Sequence, residues 1–289
     1  MDLMVIALVL GSAALHPFRD LLIKGQSFPE SAYLGVTGSW VIFAALQAVW
    51  LDQTLTLPTE VWPLVAGSAM GLFIYYLCVM ITLKAGDLSI YYPIIRSSPL
   101  AIVAIGYVFL ERYYSPLTLA GISLTLLGAI MIQYRRGAGL LQRPKLILTA
   151  TAAMIGSAIY GLSDSVAMET ITPAPFLFWV YTVLTLAFMA FFTITRPIKR
   201  PLSQQLFGCW RSSWLQVLAS GALSYASYVL ILFAFQAGGE VAVVSAIRQV
   251  SIPFSVLLGA FVLKEQRVLT RLAWSLLLAS GVALIIAGG

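Results

Sequence analysis

Long apolar stretches alternate with short polar segments along the whole chain. Each stretch holds roughly the 20 residues that an α-helix needs to cross a hydrocarbon core of about 30 Å. The stretches are too long and too uniformly apolar to be strands of a membrane barrel. The pattern therefore predicts an all-α membrane protein with ten transmembrane helices. The predicted helices 1 to 10 are residues 3–23, 31–51, 61–83, 89–110, 115–134, 146–168, 175–195, 213–235, 241–263 and 269–287.

A short pattern around predicted helix 4 recurs around predicted helix 9. Its two copies are Ala85-Gly86, Arg96, Pro99 and Glu111, and Ala237-Gly238, Arg248, Pro253 and Glu265. Because each half has an odd number of helices, the second half enters the membrane from the side opposite the first. The sequence therefore predicts two inverted five-helix repeats, residues 1–134 and 146–289, joined by a cytoplasmic linker at 135–145.

Composition and charge fit this interpretation. Of the 289 residues, 60% are hydrophobic and 10% are charged, whereas a soluble domain has about a quarter of its residues charged. Thirteen of the 17 Lys and Arg residues lie in the odd-numbered loops or, for Arg271, at the edge of one; one lies in the remaining loops and termini, and three lie deeper inside helices. The positive-inside rule then predicts cytoplasmic odd-numbered loops and external termini. The net charge of +6 is thus an orientation signal and does not indicate a nucleic-acid partner.

Three arginines lie inside predicted membrane helices: Arg19 near the end of helix 1, and Arg96 and Arg248 at corresponding positions of helices 4 and 9. A charge at the bilayer centre costs about 2.5 to 3.5 kcal/mol, so Arg96 and Arg248 must face the interior of the bundle. Asp20 is predicted in the same half of the membrane as Arg96. Asp164 is predicted in the same half as Arg248. Two interpretations stay open: charged sites that flank a substrate cavity, or ion pairs that hold helices 1 and 6 to helices 4 and 9.

Prolines lie close to both arginines. Pro93 and Pro99 bracket Arg96, and Pro253 follows Arg248. Each proline removes a backbone hydrogen bond, and exposed backbone groups at membrane depth are tolerated only next to protein or a water-filled cavity. Paired broken helices at corresponding positions favour a binding site, although an ordinary packing kink is the alternative.

Further candidates for the cavity carry a ring or a second titratable group. Tyrosine offers a hydroxyl and a π face to polar organic molecules or cations. The lone histidine, His16, could carry a proton, but a hydrogen-bonded contact between helices is favoured. Asp164 is the better candidate for proton coupling. The chain has no nucleophile triad, cofactor motif or multi-His metal set, so we expect no enzyme activity, cofactor or metal. The predicted tyrosines of the substrate site are Tyr75, Tyr92, Tyr160, Tyr225 and Tyr228.

At these residues the chain resembles the EamA family of the drug/metabolite transporter superfamily. The segments that carry the resemblance are residues 85–96 with Tyr92-Pro93-Ile94-Ile95-Arg96, Ser245-Ala246-Ile247-Arg248, Pro253 and Leu263-Lys264-Glu265. Residues 16–20 resemble a segment of one bacterial subgroup but depart from it at Pro17, Arg19 and Asp20. The resemblance implies a bacterial small-molecule carrier with two inverted repeats. It also implies a central cavity between helices 1, 3, 4, 6, 8 and 9, with helices 5 and 10 peripheral. Many relatives have cytoplasmic termini, which the charge count opposes.

The expected function is secondary transport of a small polar metabolite across the bacterial inner membrane by alternating access. Two buried arginines favour a substrate with an anionic group, such as an amino acid or an organic acid. Export of cationic or aromatic compounds, using the tyrosines with Asp20 and Asp164, is the alternative within transport. A passive channel and an intramembrane enzyme or lipid-handling protein are the alternatives from other classes. The expected partners are the substrate and the lipid bilayer, and the sequence does not predict an oligomeric state.

Overall fold

The computed structural model describes residues 2–23, 29–85, 88–109, 111, 113–133, 143–195, 201–254 and 268–288. Every regular element in these ranges is helical. The helices are α1 (Leu3–Ile23), α2 (Pro29–Trp50), α3 (Trp62–Ala85), α4 (Leu88–Arg96), α5 (Ser98–Phe109), α6 (Pro116–Gln133), α7 (Pro144–Ala167), α8 (Pro173–Ile194), α9 (Leu202–Ser212), α10 (Trp214–Gln236), α11 (Val241–Ile247) and α12 (Val268–Gly288), with short 3-10 turns at Thr59–Val61 and Arg248–Val250.

All ten predicted stretches are helical over most of their described residues. Predicted helix 4 is the pair α4 and α5, helices 5, 6 and 7 are α6, α7 and α8, helix 8 is α10, helix 9 begins with α11, and helix 10 is α12. Five helices are long and apolar enough to cross a membrane: Glu30–Trp50, Thr59–Thr82, Pro144–Ala167, Pro173–Ile194 and Trp214–Gln236. Shorter apolar helices occupy the other five stretches. Ten membrane spans therefore stay a prediction.

Local residue chemistry sets several helix ends. Pro29, Pro116, Pro144 and Pro173 each begin a helix, where the missing N–H costs nothing because the first turn has no acceptor for it. After α10, Gly238 takes a left-handed φ of 84°, and its N–H bonds to a carbonyl in the last turn of α10. This conformation favours glycine. The repeated Ala237-Gly238 pair therefore ends helix α10.

The helices pack in four main pairs: α6 with α12, α3 with α7, α1 with α10, and α2 with α8. The pair α3 and α7 crosses backbone against backbone. A Cβ atom built on Gly71 would lie 2.7 Å from the Gly156 carbonyl oxygen and 2.7 Å from the Tyr160 nitrogen. Small residues let helices in a membrane approach this closely. The α3 and α7 crossing brings Tyr160 into the centre of the molecule.

One helix, α9, is not predicted by the apolar pattern. It follows Pro201 and packs against α2 and α10. The Ser31 hydroxyl donates to the Leu206 carbonyl at 3.2 Å and accepts from the Cys209 N–H at 2.9 Å. Cys209 is fully buried in this contact. Because α9 is too short and too polar to be predicted as a membrane-spanning helix, its helical structure depends on tertiary packing.

Candidate functional site

Both arginine-bearing helices break at their arginines. The helix α4 ends at Arg96 and α5 begins at Ser98. At the break, the Ser97 N–H bonds to the Ile94 carbonyl at 3.0 Å, and the Ser97 hydroxyl donates to the Pro93 carbonyl at 2.8 Å. In the second half, α11 ends just before Arg248, which begins a 3-10 turn. Both distortions predicted from the prolines are therefore present.

The two breaks border one cavity of about 70 Å³. Described residues of α1, α2, α3, α4, α5, α7, α8, α10 and α11 line it, together with the 3-10 turn after α11, whereas α6 and α12 contribute none. This matches the lining that the resemblance implies and adds α2 and α8. The lining side chains are His16, Trp40, Leu72, Tyr75, Tyr76, Ile95, Arg96, Ser98, Ser157, Tyr160, Tyr181, Ser224, Tyr228, Ser245, Arg248 and Gln249.

Arg96 is held from both halves of the chain. Its Nη2 lies 3.1 Å from His16 Nε2. Its backbone carbonyl, at the α4 break, accepts a hydrogen bond from Gln249 Nε2 at 3.2 Å. The same amide group also donates to the Ser245 carbonyl at 3.3 Å. The buried Gln249 thus ties the break in the first half to the break in the second half, next to Arg248.

Arg248 has a different environment. Its guanidinium lies over the ring of Tyr228, with Cζ 5.5 Å from the centroid, which is within cation–π range. The Tyr228 hydroxyl donates to Asp164 Oδ2. Of the two interpretations left open for this pair, the structure gives no ion pair between Asp164 and Arg248, and Tyr228 contacts both groups. Asp164 is 1% exposed and does not line the cavity.

Aromatic rings form one wall of the cavity. Trp40 stacks on Tyr181 with centroids 4.1 Å apart and lies 5.6 Å from Tyr228. Its Nε1–H donates to the Ser224 hydroxyl at 2.8 Å. Tyr160 links the two sides of this wall, at 6.0 Å from Tyr75 and 6.2 Å from Tyr228. The cavity therefore combines two guanidinium groups with π faces and hydroxyls.

A smaller cavity of about 30 Å³ adjoins the first one. The two cavities share Ser157, Tyr160, Tyr228, Ser245 and Arg248. The rest of the small cavity is apolar, and the lining that it does not share is Ile102, Gly161, Ile231, Phe235, Val241 and Val244. Arg248 therefore borders a mainly polar space and a mainly apolar one.

Most of the predicted site residues meet at the cavity. The side chains of Asp20 and Tyr92 lie outside the part of the chain that the structure describes. Tyr225 does not line the cavity, because its hydroxyl donates to Gln47 Oε1 and its ring packs edge-on to Trp40 at 5.5 Å. With Asp164 behind Tyr228, the predicted residues that line the cavity are His16, Tyr75, Arg96, Tyr160, Tyr228 and Arg248.

Sequence reasoning missed two residues that shape the cavity. Trp40 lies in the middle of predicted helix 2, away from the membrane interface where tryptophan is common, and this position is a signal for an interior role. Gln249 carried a weaker signal, as an amide next to an arginine inside an apolar stretch. A polar side chain at membrane depth usually faces protein or water and has a partner.

Comparisons with known proteins agree with this architecture. Residues 144–287, the second predicted repeat, match the EamA-like transporter family. No curated protein matches the chain. Twenty-eight chains of solved structures match it. One of them, described as "Crystal structure of protein", aligns over 99% of this chain and 97% of its own length, with a TM-score of 0.76 and 16% sequence identity. At that identity the similarity shows a shared fold.

Proposed function

Because the chain belongs to the EamA-like transporter family of the drug/metabolite transporter superfamily, we propose that it is a secondary transporter that moves a small polar metabolite with an anionic group across the bacterial inner membrane by alternating access. The family and the apolar helices make the chain a multi-pass membrane protein and a transporter in general. Substrate class, mechanism, membrane and orientation are the parts that we propose.

Helix packing supports two repeats related by a two-fold axis, and the odd number of helices in each half makes them inverted if every stretch spans the membrane. If the halves are related by a two-fold axis in the membrane plane, helices at the same position in each half can pair directly. A pair between helices at two different positions must occur twice, the second time with the roles of the two halves exchanged. The pairs α6 with α12 and α2 with α8 join positions 5 and 5, and 2 and 2. The pairs α3 with α7 and α1 with α10 join positions 3 and 1, and 1 and 3.

One observation carries the proposed substrate class: the cavity is lined by Arg96 and Arg248, and none of its described lining residues is acidic. Two cations beside one cavity at membrane depth favour an anionic ligand, because a charge in this environment needs a counter-charge. Broken helices with accessible backbone groups are also typical of carrier binding sites.

The test is solute counterflow in liposomes that contain the purified full-length chain, across a panel of amino acids and organic acids. We expect saturable counterflow of at least one anionic solute by the wild type. Arg96→Gln and Arg248→Gln should impair it, while the control Arg211→Gln, which changes an exposed arginine of α9, should not. The proposal fails if no anionic solute shows counterflow, or if both cavity substitutions leave it unchanged.

Proton coupling at Asp164 belongs to the same proposal. The carboxyl is buried and accepts a hydrogen bond from Tyr228, and Arg248 lies over the ring of the same tyrosine. We expect an imposed pH gradient to drive substrate accumulation in wild-type liposomes. Asp164→Asn should retain counterflow and lose this accumulation. Equal accumulation by the variant would remove Asp164 from the coupling mechanism.

Export of cationic or aromatic compounds is the second candidate, and the aromatic wall favours it. Rings of Trp40, Tyr75, Tyr160 and Tyr228 face the cavity, and π faces attract cations and stack on aromatic solutes. Under this alternative, Tyr75→Ala abolishes cation efflux while the arginine substitutions leave it intact. The exposed Tyr107 provides the matched control, Tyr107→Ala.

Orientation stays as the charge distribution predicts it, with odd-numbered loops cytoplasmic and both termini external. The resemblance implies cytoplasmic termini for many relatives, so the two expectations disagree. Single cysteines introduced at the termini of a cysteine-free background, and labelled with a membrane-impermeant maleimide in intact cells, decide between them. Labelling of both termini in intact cells agrees with the charge count, and labelling only after permeabilisation contradicts it.

A further inference from the structure

We infer that Arg248, and not Arg96, binds the anionic group of the substrate, while Arg96 is a positioning residue that holds the break in predicted helix 4. This inference rests on the proposed transport function and narrows it. The sequence places the two arginines at corresponding positions, but their surroundings in the structure differ in what is left for a ligand to bind.

Arg96 is engaged on its side chain and on its backbone. The guanidinium lies at 3.1 Å from His16 Nε2, so α1 holds it. The carbonyl receives the Gln249 amide at 3.2 Å, so the turn after α11 holds the backbone at the break. A residue fixed from two elements maintains the geometry of the site, and a ligand would have to displace the imidazole to reach the Nη2 atom.

Arg248 has no such partner among the residues that the structure describes. Its buried Nε–H donates to no acceptor among those residues, and its main described contact is the face of Tyr228 at 5.5 Å. A ring face compensates a guanidinium less than a paired carboxylate does. The planar fork of donors is therefore available to a carboxylate, which arginine binds in a bidentate geometry.

The neighbours of Arg248 suit a small carboxylate with an apolar body. Ser157 and Ser245 line both cavities beside it, and their hydroxyls can donate further hydrogen bonds to carboxylate oxygens. The adjoining 30 Å³ cavity is otherwise apolar, and the larger cavity presents Trp40 and Tyr181. A carboxylate at the junction of the two spaces would place its carbon body against one of these apolar surfaces.

Calorimetric titration of the purified full-length chain with butyrate and benzoate tests the inference, with butyramide and benzamide as neutral controls of the same shape. We expect the wild type to prefer each carboxylate over its amide. Arg248→Gln should weaken carboxylate binding at least about tenfold, because it removes a charge-assisted hydrogen bond. Arg248→Lys should recover part of the loss. In counterflow, Arg248→Gln should raise KM, whereas Arg96→Gln should lower the maximal rate with little change in KM.

A second measurement needs no variant. Phenylglyoxal modifies accessible guanidinium groups, and peptide mass spectrometry reports the modification of each arginine in the wild-type protein. Benzoate should protect Arg248 and leave the modification of Arg96 unchanged. The inference is overturned if the wild type binds neither carboxylate, if Arg96→Gln loses binding as severely as Arg248→Gln, or if benzoate leaves Arg248 unprotected. Saturable counterflow of other solutes would then still support the transporter proposal.

Discussion

The close crossing of α3 and α7 leads to the sharpest stability prediction. Replacing Gly71 by Ala adds one methyl group that would lie 2.7 Å from two backbone atoms of α7, where ordinary contact begins at 3.4 Å. Backbone atoms cannot rotate away as a side chain can, so the helices must separate by about 0.7 Å or distort locally. Overpacking of this kind costs about 1 to 3 kcal/mol.

The matched control is Gly38→Ala, because a methyl group built on Gly38 in α2 has no atom within 4 Å. Both substitutions gain the same helix propensity of about 1 kcal/mol. The difference between the two variants therefore isolates the packing cost at the crossing. We expect Gly71→Ala to be less stable than Gly38→Ala by about 1 to 3 kcal/mol.

The assay is reversible unfolding in mixed micelles, with dodecyl sulfate titrated into dodecyl maltoside and helicity followed by circular dichroism. The free energy of unfolding is compared at the same detergent fraction for both variants. If the two free energies agree within about 0.5 kcal/mol, which is the scatter expected between independent sites, the crossing is not closely packed and the reasoning is refuted.

Three further predictions use the same assay. Gln249→Ala leaves a carbonyl at the α4 break without its donor and should cost about 1 to 3 kcal/mol, unlike the exposed control Gln204→Ala; equal stability would rule out the link between the breaks. Trp40→Ala should cost about 3 to 5 kcal/mol through the space that it leaves, whereas Trp50→Ala, at an 82% exposed position, should cost little; a small effect for both would contradict the stacked wall. Glu240→Ala removes the side chain that accepts two N–H groups at the start of α11 and should lower the free energy of unfolding by about 0.5 to 2 kcal/mol. An unchanged free energy of unfolding would contradict a stabilising role for this cap.

Much of the secondary structure follows from the apolar pattern alone. Apolar runs of membrane length leave the helix as the element that satisfies its own backbone, and prolines beside Arg96 and Arg248 mark where two helices break. The apolar pattern did not predict α9, because residues 202–212 are held by contacts with α2, such as those of Ser31. A short helix of that kind has no strong signal in its own sequence.

Partners within the site were less accessible to sequence reasoning. The sequence left open whether Arg248 pairs with Asp164, and in the structure Tyr228 contacts each of them. Tyr225 and Tyr228 are three residues apart on one helix, but only Tyr228 lines the cavity. A rotation of about 60° between such positions decides which hydroxyl reaches the cavity.

The sequence by itself determined that this chain is helical and membrane-embedded, that arginines lie inside two apolar stretches, and that the helices break there. Only the tertiary structure decided what each arginine contacts. Those contacts join residues far apart in the chain, 80 positions for His16 with Arg96 and 153 for Arg96 with Gln249. In a membrane helix the lipid-facing and the buried sides are both apolar, so the pattern of hydrophobic positions does not show which side faces the cavity.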